Sequence, residues 1–175
     1  MTSRAELPEE ATGLRRFNTL PDAQARESLL ACLDVPAWAD ALLSARPYTD
    51  LDALLERADM AARKLAPREI DRALAAHPRI GERPAGTGTR ARWSRGEQSG
   101  VGDDAGVLAD LAEANRRYEE RFGRVFLICA TGLDAGQVLD AARARLGNDD
   151  ETERRVVAGE LRKIALLRLR KAVGS

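Results

Sequence analysis

Histidine occurs once in this chain, at position 77, in the run His77-Pro78-Arg79-Ile80-Gly81-Glu82-Arg83. Imidazole is the side chain whose ordinary titration lies nearest neutral pH. Further along comes Ser94-Arg95-Gly96-Glu97-Gln98, which offers a hydroxyl, a carboxylate and an amide. An imidazole oriented by a carboxylate can move a proton to or from a bound molecule, and neighbouring polar groups can hold that molecule in place. Acid–base chemistry of this kind requires the two segments to meet.

Other polar residues interrupt apolar patterns. Val157, Leu161 and Ile164 step by four and three, and the next position in that series is Arg168. A guanidinium is always charged and is costly to bury alone, so Arg168 either snorkels to solvent, pairs with a buried carboxylate or receives an anionic ligand. Ile70, Leu74 and His77 also step by four and three, which puts the imidazole on the apolar face of its helix; a core histidine bonded to backbone is the plainer alternative. Glu97, between Gly96 and Gln98 in a glycine-flanked polar loop, would on its own be a surface carboxylate. Asn115 sits on the apolar face of a long helix and needs a partner, from a loop or from a ligand. Trp38 and Trp93 read as packing anchors. Together the inward polar breaks suggest a polar pocket inside a helical bundle.

The elements that would position these residues are helices. Ala, Leu, Arg and Glu dominate and β-branched residues are sparse. Helices are expected at about 22–33, started by Pro21-Asp22, and at about 36–45, ended by Arg46-Pro47. Others are expected at about 51–64, capped by Thr49 or Asp50, and at about 67–77, where Pro67 opens and Pro78 prevents continuation. Residues 81–92, rich in Gly and Pro, form a loop, with a short helix following at 94–100. A long helix spans about 104–122 and ends at Gly123, with Leu108, Leu111, Asn115, Tyr118 and Phe122 on one face. The run Val125-Phe126-Leu127-Ile128-Cys129-Ala130 is strand-like but has no partner strand, so it reads as buried extended chain. Two further helices follow, at about 135–146 and 149–172. The expected fold is all-α: one domain over residues 1–175, a helical bundle of about seven to nine helices.

Composition excludes several classes of function. The chain has 175 residues, with 28 basic and 28 acidic side chains interleaved, so it lacks the basic excess of a nucleic-acid binder. No apolar stretch approaches the roughly twenty residues that cross a bilayer. The opening Met1-Thr2-Ser3-Arg4-Ala5-Glu6 has no apolar secretion core, and the closing Ala172-Val173-Gly174-Ser175 is no peroxisomal address, so cytoplasm is the expected location. Cys32 and Cys129 read as two buried reduced thiols, without metal-ligand spacing to the lone histidine. Gly86-Thr87-Gly88 has no strand before it and no Gly-Lys-Ser after it. No cofactor and no metal are expected.

The set His77-Pro78-Arg79-Ile80-Gly81-Glu82, then Ser94-Arg95-Gly96-Glu97-Gln98, resembles the cofactor-independent decarboxylases of urate breakdown, which act on 2-oxo-4-hydroxy-4-carboxy-5-ureidoimidazoline (OHCU) and release carbon dioxide and (S)-allantoin. So do Asn115, Tyr118-Glu119, Phe122-Gly123, the run Phe126 to Ala130, and the closing Lys163-Ile164 and Leu167-Arg168-Leu169. Cys32, Trp38-Ala39 and Arg46-Pro47 agree in place and order.

The resemblance implies an all-α fold, a homodimer and a small-molecule substrate derived from urate oxidation. It puts the acid–base histidine on His77, its partner carboxylate on Glu97 and the anion-binding arginine on Arg168. Substrate contacts fall on Pro78, Ser94, Gln98 and Phe126, Leu127, Ile128, Cys129 and Ala130. This chain departs from the family at Arg124-Val125, where an aromatic-proline pair is usual. Two other readings stay open: a non-catalytic helical interaction module, and a relative acting on a different ureido or purine-derived acid.

Overall fold

A computed structural model describes residues 9–82, 86–102 and 104–174. Residues 83–85 of the expected loop, with 1–8, 103 and 175, lie outside the described residues. Among those described there are nine α-helices and no strand: α1 (Glu9–Thr19), α2 (Asp22–Cys32), α3 (Pro36–Leu43), α4 (Leu51–Ala62), α5 (Pro67–Ala75), α6 (Thr89–Glu97), α7 (Ala105–Phe122), α8 (Ala135–Arg145) and α9 (Asp150–Val173). A single 3-10 turn, Ser99–Val101, follows α6. None of these helices is long and apolar enough to cross a membrane.

The expected stops and starts come from local chemistry. Pro36 opens α3 in the first turn, where its missing N–H would have had no partner anyway. The Asp50 carboxylate caps α4 by accepting from the Ala53 N–H at 2.7 Å, and Asp104 does the same for α7 through Val107 at 2.9 Å. At α8, Asp134 and Gln137 exchange side-chain and backbone hydrogen bonds in a reciprocal capping box. Gly123 ends α7 at φ +67°, a left-handed conformation that favours glycine.

Two elements differ from the expectation. α1 is a helix that the expected set, which starts at about residue 22, did not include. The short helix expected at 94–100 instead begins at Thr89 and ends at Glu97. Ser94 and Glu97 are therefore helical and buried, and the glycine-flanked polar loop is not there.

The chain divides into two compact units, residues up to 66 together with those from 164 on, and residues 67–163. In the first, Leu14, Phe17, Leu29, Trp38, Leu42, Leu54 and Leu169 form the core. The Trp38 indole N–H donates to the Ala58 carbonyl at 3.0 Å, tying α3 to α4. Arg46 donates to the Phe17 and Leu20 carbonyls at 2.8 and 2.9 Å, so one guanidinium satisfies the C-terminal end of α1. A β-carbon at Gly13 would stand 1.6 Å from the Val173 carbonyl oxygen. Only glycine lets α1 approach the end of α9 this closely. In the second unit, Ile80, Val101, Leu111, Ala114, Tyr118, Phe126, Ala130, Val138, Leu139 and Ala142 form one continuous core.

Candidate active site

Three segments of the second unit converge. The first leaves α5. Ala75 is the last helical residue, two short of the expectation, yet the His77 N–H still donates to the Leu74 carbonyl at 3.0 Å before Pro78 ends the turn. His77 and Pro78 are half-buried; Leu74 is buried and Ile70 half-buried, so the imidazole sits at the edge of the apolar face rather than deep in it. The loop beyond is anchored from α7: the Asn115 amide N–H donates to the Ile80 carbonyl at 2.9 Å, and Arg79 grips Glu119 with two nitrogens, one at 2.8 Å. The amide expected to bond a loop or a ligand bonds the loop.

The second segment is the end of α6 and the turn after it. Ser94 and Glu97 are 3% and 8% exposed, and Gln98, half-buried, is the C-cap. The Oε1 of Gln98 accepts the Gly81 N–H at 2.9 Å. This bond joins the histidine-bearing segment directly to the Glu-Gln segment. Gly81 itself has φ +86°, and a β-carbon there would lie 3.0 Å from the Leu111 side chain, so glycine suits both the turn and the contact.

The third segment, residues 125–130, is neither helix nor strand. Phe126, Leu127 and Ala130 are buried while Ile128 and Cys129 are half-buried. Side chains from both following helices hold its backbone. The Leu127 carbonyl accepts from Arg145 at 2.6 Å, and the Cys129 N–H donates to Glu160 at 2.7 Å. The turn after α6 also lies against the chain that follows the third segment: a β-carbon at Gly100 would be 2.2 Å from the Leu133 carbonyl oxygen.

Electrostatics tie Glu97 to the third segment as well. Burial pushes the Cys129 thiol above its ordinary pKa; a hydrogen bond with the Thr131 backbone opposes it, and the charges of Glu160 and Glu97 then push upward against a lesser opposing effect of Lys163. A thiol so placed stays neutral near pH 7 and is a poor nucleophile. Neither Cys32 nor Cys129 is in a disulfide. Among the described residues no group of three or more His, Cys, Asp or Glu side chains has the geometry to hold a metal ion.

Beneath the third segment lies a polar cluster that the sequence pattern did not reveal. Tyr118 and Glu153 are fully buried and Arg145 is 8% exposed. The Glu153 carboxylate accepts from the Tyr118 hydroxyl, from Arg145 and from Asn148. Burial raises the Glu153 pKa, but these three donors outweigh it and leave the carboxyl below its ordinary value. Burial, with the hydrogen bond to Glu153, pushes the Tyr118 phenol up to about 12.

Arg168 belongs to the first unit. It is 2% exposed, so the snorkelling alternative is overturned. Val157, Leu161 and Ile164 of the same stripe are buried too. A cavity of about 60 Å³ beside Ile70, Leu74 and Val157 has none of the expected site residues in its walls.

The chain matches the family model described as OHCU decarboxylase over residues 18–170. It is 31% identical to the uric acid degradation bifunctional protein TTL of Arabidopsis thaliana over 144 residues, covering 80% of this chain and 44% of that protein. It is 38% identical over 96 residues to a 2-oxo-4-hydroxy-4-carboxy-5-ureidoimidazoline decarboxylase of Amia calva, covering 53% of this chain and 55% of that one. The matches to these two curated relatives thus span about half of their length. A crystal structure of OHCU decarboxylase in the presence of (S)-allantoin superposes with a TM-score of 0.73 at 26% identity, covering 89% of this chain and all of the other. With the matched region running through all three converging segments, the chain belongs to the OHCU decarboxylase family.

Proposed function

We propose that this protein is a cofactor-independent decarboxylase that converts OHCU to (S)-allantoin and carbon dioxide in urate degradation. The observation that carries the reading is the hydrogen bond from the Gly81 N–H to Gln98, which couples the His77 segment to the Glu97 segment inside one compact unit. Family membership supplies the substrate.

Loss of carbon dioxide leaves an electron pair on a ring carbon, delocalised into the adjacent carbonyl or imine, so the ring is its own electron sink. The protein has to hold the scissile carboxylate out of the ring plane, limit its solvation and return a proton to one face. His77, oriented by Glu97, manages the proton of the substrate hydroxyl or ring nitrogen. Ser94 and Gln98 hydrogen-bond the ureido and ring groups, Pro78 contacts the substrate, and residues 126–130 contribute chiefly backbone, since Phe126, Leu127 and Ala130 are buried. Arg168 is assigned the substrate's anionic group; its burial on an otherwise apolar stripe supports a role beyond surface charge. The reading takes residues 1–175 as one functional domain, working as a cytoplasmic homodimer.

The test is an assay on freshly made urate oxidation product, following the handedness of allantoin by circular dichroism. Accelerated formation of the (S) form is expected, abolished by His77→Ala and by Glu97→Gln without loss of the helical spectrum. Racemic product at the background rate would refute the enzyme and favour a non-catalytic helical module.

A further inference from the structure

Residues 125–130 have no ladder and no helical bonds to fix their path, and side chains take two of their backbone groups. Glu160 holds the Cys129 N–H, and Arg145 holds the part of the segment before it. Its Nη1 donates to the Leu127 carbonyl at 2.6 Å, and its guanidinium lies 4.6 Å above the Phe126 ring. The Nε–Nη2 edge of the same plane is committed to Glu153, with Nε at 2.8 Å and Nη2 at 2.5 Å from one carboxylate oxygen. Tyr118 donates to that oxygen too, and its ring meets Phe126 edge-on at 5.2 Å. The cluster therefore addresses two consecutive residues of the segment, one through its ring and one through its carbonyl.

Stability alone does not account for such a cluster, because replacing a buried ion pair with apolar side chains is often neutral or stabilising. What a planar fork adds is direction: it fixes where Leu127 and Phe126 lie relative to α8 and α9. We infer that Tyr118, Glu153 and Arg145 are positioning residues, which set the backbone of residues 126–130 for the reaction from the side away from bulk solvent. The inference rests on the decarboxylase reading above.

Two variants test it. Tyr118→Phe/Arg145→Met/Glu153→Leu replaces the whole cluster with apolar groups, and Arg145→Lys keeps the charge but loses the plane. Melting within a few degrees of the native protein is expected for both. The turnover number should fall about tenfold to a hundredfold in the triple variant and less in Arg145→Lys, with KM changing less than kcat. Amide hydrogen exchange at Leu127 to Cys129 should quicken about tenfold or more in the triple variant, as expected when local opening becomes easier. A folded triple variant with native turnover and native exchange would overturn the inference. If the triple variant does not fold, Arg145→Lys decides: lower kcat at unchanged melting supports the positioning role, and unchanged kcat refutes it. If the native protein shows no acceleration, the decarboxylase reading fails; exchange at residues 127–129 then decides the positioning role alone, quickened exchange supporting it and unchanged exchange refuting it.

Discussion

Exchanging Asn115 for aspartate replaces one NH2 group with an oxygen and changes almost no volume. In the native protein Nδ2 donates to the Ile80 carbonyl at 2.9 Å, and both residues are 5% exposed. The Asn115 Oδ1 is buried without a hydrogen-bond partner. Leucine at 115 removes the donor and that orphaned acceptor together, so the Ile80 carbonyl becomes the orphan in its place. The net loss is then the worth of one hydrogen bond, about 1 kcal/mol. Aspartate removes the donor, keeps the orphan and sets a negative charge against a carbonyl oxygen. An uncompensated buried charge costs about 3–5 kcal/mol. A penalty of about 3 kcal/mol corresponds to a folded-state carboxyl raised roughly two pKa units above the ordinary ~3.9. The folded variant then binds more protons than the unfolded chain, so its stability relative to the native protein rises as the pH falls through about 6 and levels off below about 4. There the neutral acid can donate its own O–H to Ile80. Urea denaturation of the three proteins at pH 7 and pH 5 reads both effects. Asn115→Leu should lose about 1 kcal/mol at either pH. Asn115→Asp should lose about 3 kcal/mol at pH 7 and about half of that at pH 5. An aspartate variant no worse than leucine at pH 7 would show that Nδ2 does not hold Ile80, and the account of how the histidine loop is anchored would fall.

Two further outcomes follow from the same coordinates. Gly100→Ala places a methyl 2.2 Å from the Leu133 carbonyl oxygen, so backbone has to move; a cost of about 1–3 kcal/mol in a thermal melt is expected. Unchanged melting would contradict the close approach. The pH dependence of stability has two limbs: Glu153, held below its ordinary value, contributes above the usual carboxylate range near ~4.3 and loses that contribution as the pH falls below it, while Tyr118, raised to about 12, contributes below ~10 and loses it as the pH climbs towards about 12. Tyr118→Phe should flatten the alkaline limb in urea titrations; an unaltered alkaline limb would assign it to other groups.

The helix ends were legible where one residue decides them. Asp50, Pro36, Pro67 and Gly123 each act through their own backbone or side chain, and the structure places the boundaries within a few residues of them. α1 was not read from the sequence; the glycine in its middle, Gly13, serves a close approach to the Val173 carbonyl that only the fold shows. The register of α6 was missed: Gly86 and Gly88 suggest that the loop runs on, whereas the helix starts directly after Gly88. At the candidate site, the residue types of His77, Ser94, Glu97 and Gln98 set the meeting of their two segments as the condition for acid–base chemistry, and the Gly81–Gln98 hydrogen bond joins those segments. The Tyr118–Glu153–Arg145 cluster left no trace in the pattern. Arg145 and Glu153 sit on different helices, and each resembles the many exposed charges around it. Only the fold reveals that they share a buried carboxylate.

The first unit draws on both sides of the second in sequence, since residues up to 66 pack with those from 164 on. During synthesis, α1 to α4 leave the ribosome before the residues that complete their core, Ala165, Leu169 and Val173 among them. Residues 67–163 emerge in between and need nothing later in sequence to form their own contacts. A stalled or truncated product lacking the final turns of α9 would therefore expose an unfinished apolar face on α1 and α2, the kind of surface that chaperones and proteases recognise.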